Sequence, residues 1–120
     1  MHGEVQVFTV EIRLVGKVVI LDCVGKITLG SGTAEFRNAI RNILSMYHKQ
    51  ILLNFENVPY IDNSGIGELV SALTAINNSE GKLKLACLTN RVRNLLQITK
   101  LYSIFDVSET VDEALKKFGE

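Results

Sequence analysis

The chain is poor in the residues that usually announce a specialised protein. In 120 residues there is no tryptophan, one proline, two cysteines, two histidines and two methionines. One proline and no Ser/Gly-rich stretch leave nothing to divide the chain, so a single domain is expected over 1–120, with its core at about 4–118. Cys23 and Cys87 are far apart and not in metal-ligand spacing; they read as reduced thiols, Cys23 and Cys87 alike belonging to the core. Thirteen Lys+Arg against thirteen Asp+Glu give a formal charge of zero. A nucleic-acid binder normally carries a basic excess, so that class is disfavoured. No apolar run approaches the ~20 residues that span a bilayer, so direct membrane insertion is not expected. Met1-His2-Gly3-Glu4 opens without a basic segment leading into an apolar one. The expectation is therefore no secretory signal and a cytoplasmic location.

What the chain has instead is hydrophobic periodicity. Val10, Ile12 and Leu14 alternate with Glu11 and Arg13, which predicts a half-buried strand within 4–14. After Val15-Gly16-Lys17, a more fully buried strand runs from Val18 to about Ile27, antiparallel to the first. Phe36, Ile40, Ile43, Leu44 and Tyr47 then mark one face of a helix. Ile51 to Phe55 read as a buried strand. Ile66, Leu69, Val70, Leu73 and Ile76 mark a second helix, stopped within Asn77–Gly81. Leu83 to Leu88 form another strand, and Thr89 caps a helix carrying Val92, Leu95 and Leu96. Ile104 to Val107 form a last strand, and Ser108 caps a final helix with Val111, Ala114, Leu115 and Phe118. The order β-β-α-β-α-β-α-β-α implies an α/β fold with a mixed, mostly parallel sheet and helices packed on it.

Few residues have the spacing of an active site. Gly30-Ser31-Gly32-Thr33 lacks the lysine of a P-loop and the third glycine of a dinucleotide fingerprint. It reads as a βα turn with Ser31 or Thr33 as cap. The histidines are His2 and His48, the latter expected to face solvent at a helix end. Asp112-Glu113 are adjacent on a helix and do not face one another. No metal or cofactor site is visible. Lys82, Lys84, Arg91, Arg93 and Lys100 fall in a stretch from Gly81 to Phe105 without Asp or Glu. They read either as a solvated face or as one side of a partner interface.

The informative stretch is Tyr60-Ile61-Asp62-Asn63-Ser64-Gly65-Ile66-Gly67, which leaves a buried strand and enters a helix. Asp62, Asn63 and Ser64 are all good N-cap residues, so a well-capped helix start is one reading. The other is a hydroxyl presented at the C-terminal end of a strand, where α/β sheets place their sites. A phosphate on Ser64 would meet free N–H groups and the helix dipole, and would add about −1.5 to −2 charges beside Asp62. Ser64 is not in a G-x-S-x-G elbow, because Asp62 stands at the first glycine position.

This loop resembles the signature of the STAS domain family, and within it the bacterial anti-sigma factor antagonists. Gly25-Lys26-Ile27, Gly81-Lys82-Leu83, and Arg91-Val92-Arg93-Asn94-Leu95-Leu96 followed by Leu101 and Ile104-Phe105 extend the likeness over roughly 4–118. The resemblance implies a phospho-switch that works by binding and has no chemistry of its own. The unphosphorylated form would bind an anti-sigma factor that is also a serine kinase, freeing the sigma factor. Phosphorylation of Ser64 would end that binding, and a PP2C-type phosphatase would reset it. Thr28, Ser31, Asp62, Asn63, Ser64, Gly65, Ile66 and Gly67 are the implied partner-facing residues. Bulk at Gly65 is expected to block a docking kinase while leaving the fold intact. Asn63 replaces the first serine of the family motif, and the loop after Ile27 lacks the acidic residue of better-known antagonists. A different role within the family, as a subunit of a phospholipid-transport or stressosome-like assembly, is the alternative.

Overall fold

The structure is a computed structural model and describes residues 7–119. Five strands form one sheet in the order β1-β2-β3-β4-β5. They are β1 (Thr9–Val15), β2 (Val18–Val24), β3 (Gln50–Asn57), β4 (Lys82–Ala86) and β5 (Asp106–Ser108). The β1–β2 hairpin is antiparallel and every later pair is parallel. The helices are α1 (Ser31–Ser45), α2 (Asn63–Asn78), α3 (Asn90–Ile98) and α4 (Val111–Phe118), with a 3₁₀ turn at Tyr102–Ile104.

Each of α1, α2 and α3 links a strand to its parallel neighbour. Crossovers of one hand in one direction put all three helices on the same face. There Phe36, Ile40, Ile43, Leu69, Ile76, Val92 and Leu96 pack on Val19, Leu21, Ile51, Leu53, Phe55 and Leu85. The fourth helix covers the other face, where Ala114 and Phe118 meet Val18, Ile20, Leu52 and Ala86. Strands buried on both faces read as continuous apolar runs, as Val18–Leu21 and Ile51–Leu53 do. Among the described residues no helix is long and apolar enough to cross a membrane.

Several expectations are corrected. The β1 alternation is real, but Ile12 and Leu14 are 56% and 61% exposed. They lie towards the hairpin end of an outer strand, where of the three apolar residues Val10 packs against the core; the part of that strand assigned to residues 4–6 lies outside the described residues, as do His2 and the opening four residues. β2 stops at Val24, and Ile27 forms only an isolated parallel bridge with Ile61. Tyr47 is not on the buried face of α1: the helix ends at Ser45, and Tyr47 has φ of 65° and is 88% exposed. His48 follows that end half-buried. β4 ends at Ala86, so Cys87 is half-buried rather than in the core, while Cys23 is fully buried. Burial pushes both thiols up. Ile104 and Phe105 precede the last strand instead of forming it. Gly30, not Ser31 or Thr33, is the N-cap of α1 and offers no side-chain acceptor; the Thr33 hydroxyl instead donates to the Gly30 carbonyl at 3.2 Å.

The cap of α4 is Thr110, whose Oγ1 accepts from the Glu113 N–H at 3.1 Å. Ser108 is instead the last residue of β5, paired with Ala86, and its buried hydroxyl has no partner among the described residues. Removing an engaged cap and removing an unpartnered hydroxyl have opposite signs. Thr110→Ala is expected to cost about 1 kcal/mol, whereas Ser108→Ala should be neutral or stabilising. Urea unfolding of the two variants checks this.

Candidate functional site: the loop before the second helix

The loops leaving β2, β3 and β4 emerge at the same end of the parallel strands, and three helices begin there. The connection after β2 runs alongside the one after β3. Ile27 donates its N–H to the Tyr60 carbonyl at 3.1 Å, and Asp62 donates its N–H to the Ile27 carbonyl at 3.3 Å. Asp62 then fastens both loops. One carboxylate oxygen accepts from the Gly65 N–H at 2.8 Å and caps α2. The other accepts from the Leu29 N–H at 3.0 Å in the neighbouring loop. These N–H donors, Leu29 first and Gly65 next, hold the carboxyl below the usual carboxylate range.

Of the three N-cap candidates, Asp62 takes the cap, and Asn63 and Ser64 become the first helical residues. Asn63 is exposed and Ser64 is half-buried. The N–H groups expected to be free for a phosphate are therefore partly engaged by Asp62. Glu68 lies four residues beyond Ser64 on the same helical face. Its carboxylate is held by Arg37 of α1, with Nη2 to Oε1 at 2.8 Å. A phosphate on Ser64 would thus sit between two carboxylates, one of them already matched by a cation.

Gly65 and Ile66 are buried. A Cβ at Gly65 would overlap the Ile27 carbonyl oxygen and approach the Ile61 Cβ at 3.2 Å. The expectation that Gly65→Val spares the fold is corrected: this glycine lets the first turn of α2 lie against the neighbouring loop. Gly32 serves the same segment from α1, where a Cβ would come 2.6 Å from the Lys26 carbonyl oxygen. Gly67, by contrast, is exposed, and a Cβ added there would meet nothing within 4 Å. Thr28 is half-buried, its carbonyl accepting from the Thr33 N–H, and Ser31 is exposed at the start of α1. The structure therefore sets the Thr28–Leu29 segment beside Asp62, leaves Ser31, Asn63 and Gly67 exposed and Ser64 half-buried, and buries Gly65 and Ile66.

Sequence reasoning missed Leu29, which is 78% exposed beside Asp62. It also missed Tyr60, over whose ring the Arg91 guanidinium lies at 4.3 Å. An exposed leucine pinned by its own N–H has no signature in sequence. The basic stretch from Lys82 to Lys100 does not form one face. Lys84 pairs with Asp106, Arg93 pairs with Glu109 at 3.2 Å, and Arg91 stacks on Tyr60. No cluster of His, Cys, Asp and Glu suited to a metal occurs among the described residues.

The STAS domain profile matches residues 9–114. The chain belongs to the STAS domain family. An anti-sigma-B factor antagonist of Staphylococcus aureus is 34% identical over 61 residues, covering 51% of this chain and 56% of that protein. The chain thus spans about half the length of the curated relatives it matches. A Thermotoga maritima structure described as an anti-sigma factor antagonist superimposes with a TM-score of 0.86 at 24% identity, covering 92% of this chain and 95% of that one. The Bacillus cell-fate determinant SpoIIAA in its phosphorylated form gives 0.69 at 20% identity, covering 92% and 98%. At these identities the structural likeness establishes the shared fold.

The packing and the charge of the loop each give a prediction. Gly67→Ala should be neutral or gain up to about 1 kcal/mol, as an exposed helical glycine does. Gly65→Ala should lower the thermal midpoint clearly, because backbone has to move. Asp62 supplies the second. Its folded pKa is depressed, so its stabilisation is complete above the unfolded value of about 3.9 and disappears as pH falls through the lower folded value. The stability gap between the unsubstituted chain and Asp62→Ala should be full at pH 7 and shrink at about pH 3, by urea unfolding at both.

Proposed function

We propose that this STAS domain is an anti-sigma factor antagonist that works by partner switching. The unphosphorylated chain binds an anti-sigma factor that is also a serine kinase and so releases the sigma factor. Phosphorylation of Ser64 ends that binding, and a PP2C-type phosphatase restores it, in the cytoplasm. The chain acts by binding rather than by catalysis, with Thr28, Ser31, Asp62, Asn63, Ser64 and Gly67 on the contacting surface.

The observation that carries this reading is the placement of Ser64. Its hydroxyl stands on a helix start that Asp62 and the Ile27 carbonyl lock to the adjacent loop. These bonds run through Asp62 and the Ile27 backbone and do not use the Ser64 hydroxyl. Asp62, held ionised, makes the added charge cumulative rather than compensated. A partner surface that closes over Leu29 and Ser64 would have to bury that charge, which costs several kcal/mol when it is unpaired. The names of the Staphylococcus relatives and of SpoIIAA support the same role.

Ser64→Ala and Ser64→Asp should therefore differ as baits. A histidine-kinase-like ATPase should be retained from native lysate by the Ala form. Its purified affinity should fall at least tenfold, about 1.4 kcal/mol, for the Asp form. Equal affinities for that partner would exclude Ser64 as the switch.

A further inference from the structure

The two edges of the sheet are finished differently. The β5 edge has only 3 residues, and its Asp106 is held by Lys84 and Lys117. A short edge occupied by charged pairs resists strand addition. The β1 edge has 7 residues. Its outer side faces no other strand among the described residues. Its even positions, Val10, Ile12 and Leu14, are opposite Cys23, Leu21 and Val19 and so lie on the α1 face. Ile12 and Leu14 are open there, and Val15 and Val24 are exposed on the other face.

The charges on this strand are unbalanced within the chain. Glu11 is directly opposite Asp22, a like-charge pair. The nearest cation along the strand, Arg13, is committed to Asp22 at 2.7 Å. An added strand that set a cation opposite Glu11 would relieve this.

We infer that β1 pairs with β1 of a second copy of this chain, antiparallel, about a two-fold axis at Ile12. Directly opposite residues of an antiparallel pair share a face, so a symmetric pairing must be centred on a residue. Centred on Ile12, it sets Thr9 against Val15, Val10 against Leu14, Glu11 against Arg13 and Ile12 against itself. All of Thr9–Val15 is paired, and the opposite charges meet twice. Centred on Glu11, it sets glutamate against glutamate; centred on Arg13, arginine against arginine. Like charges directly opposite are unfavourable, so the sequence selects one register of the three. Each Arg13 would lie between Asp22 of its own chain and Glu11 of the second copy.

The two-fold reverses strand direction across the interface. The Ser64 loops of the two copies therefore point to opposite ends and both stay open. The inference stands independently of what Ser64 does.

Sedimentation of the purified chain over a concentration series tests it. The mass should rise towards twice that of the monomer. Ile12→Lys, at an exposed position and with an unchanged circular dichroism spectrum, should remain monomeric. The register is read by oxidation. Ile12→Cys should form an intermolecular disulfide. Leu14→Cys should not, because the two copies of residue 14 would be about 13 Å apart, four residues along the strand. The unsubstituted chain, with its buried Cys23 and half-buried Cys87, is the control. A monomer at every concentration overturns the inference. So does a dimer that survives Ile12→Lys, or cross-linking at residue 14 equal to that at residue 12.

Discussion

The carboxylate of Asp62 is the point on which the site depends. It accepts the first-turn N–H of α2 and the N–H of Leu29 in the neighbouring loop. One side chain therefore fixes where α2 begins and how two βα connections lie together. The contact is possible only because Gly65 brings no side chain between α2 and the Ile27 carbonyl. Glycine and aspartate act as a pair here: one permits the approach and the other holds it. The remainder of the fold, three helices on one face and α4 on the other, brings the strand ends to this junction.

This arrangement separates two roles that the loop motif runs together. Gly65 and Ile66 face inward and keep the loop in shape. Asn63 and Gly67 are exposed and Ser64 is half-buried, with the exposed Leu29 tied by its N–H to Asp62. A phospho-switch built on such a site works through electrostatics at a fixed surface. It needs no rearrangement of the sheet, since the helix start is already ordered by Asp62.

Much of this was legible in the sequence, for reasons that can be named. The β-β-α-β-α-β-α-β-α order was readable because Phe36, Ile40 and Ile43 repeat with the helical period and Ile51–Leu53 form an unbroken apolar run. The Thr89 cap was readable because it stands just before Val92 and Leu96, and its Oγ1 does accept from the Val92 N–H. Alternation in β1 told which residues share a face, but not that Val10 packs on the core while Ile12 and Leu14 stay exposed. Ser108 and Thr110 both precede the apolar residues of α4, and only pairing with Ala86 shows that the strand keeps Ser108. Gly65 looked like a position open to a partner because its close neighbour, Ile27, is far away in sequence. The misses share one cause: they depend on contacts between distant segments, which local patterns do not record.

The double fastening of the Ser64 loop also bears on how any enzyme could recognise it. Many modifying enzymes take their targets as extended strands drawn across a cleft. Ser64 cannot be offered that way while Asp62 caps the helix and Ile61 is bridged to Ile27. Unwinding it would forfeit the cap and uncover Ile66. An enzyme acting on this serine must therefore read a folded shape assembled from two loops. Short peptides copied from the loop would carry the right letters and the wrong surface.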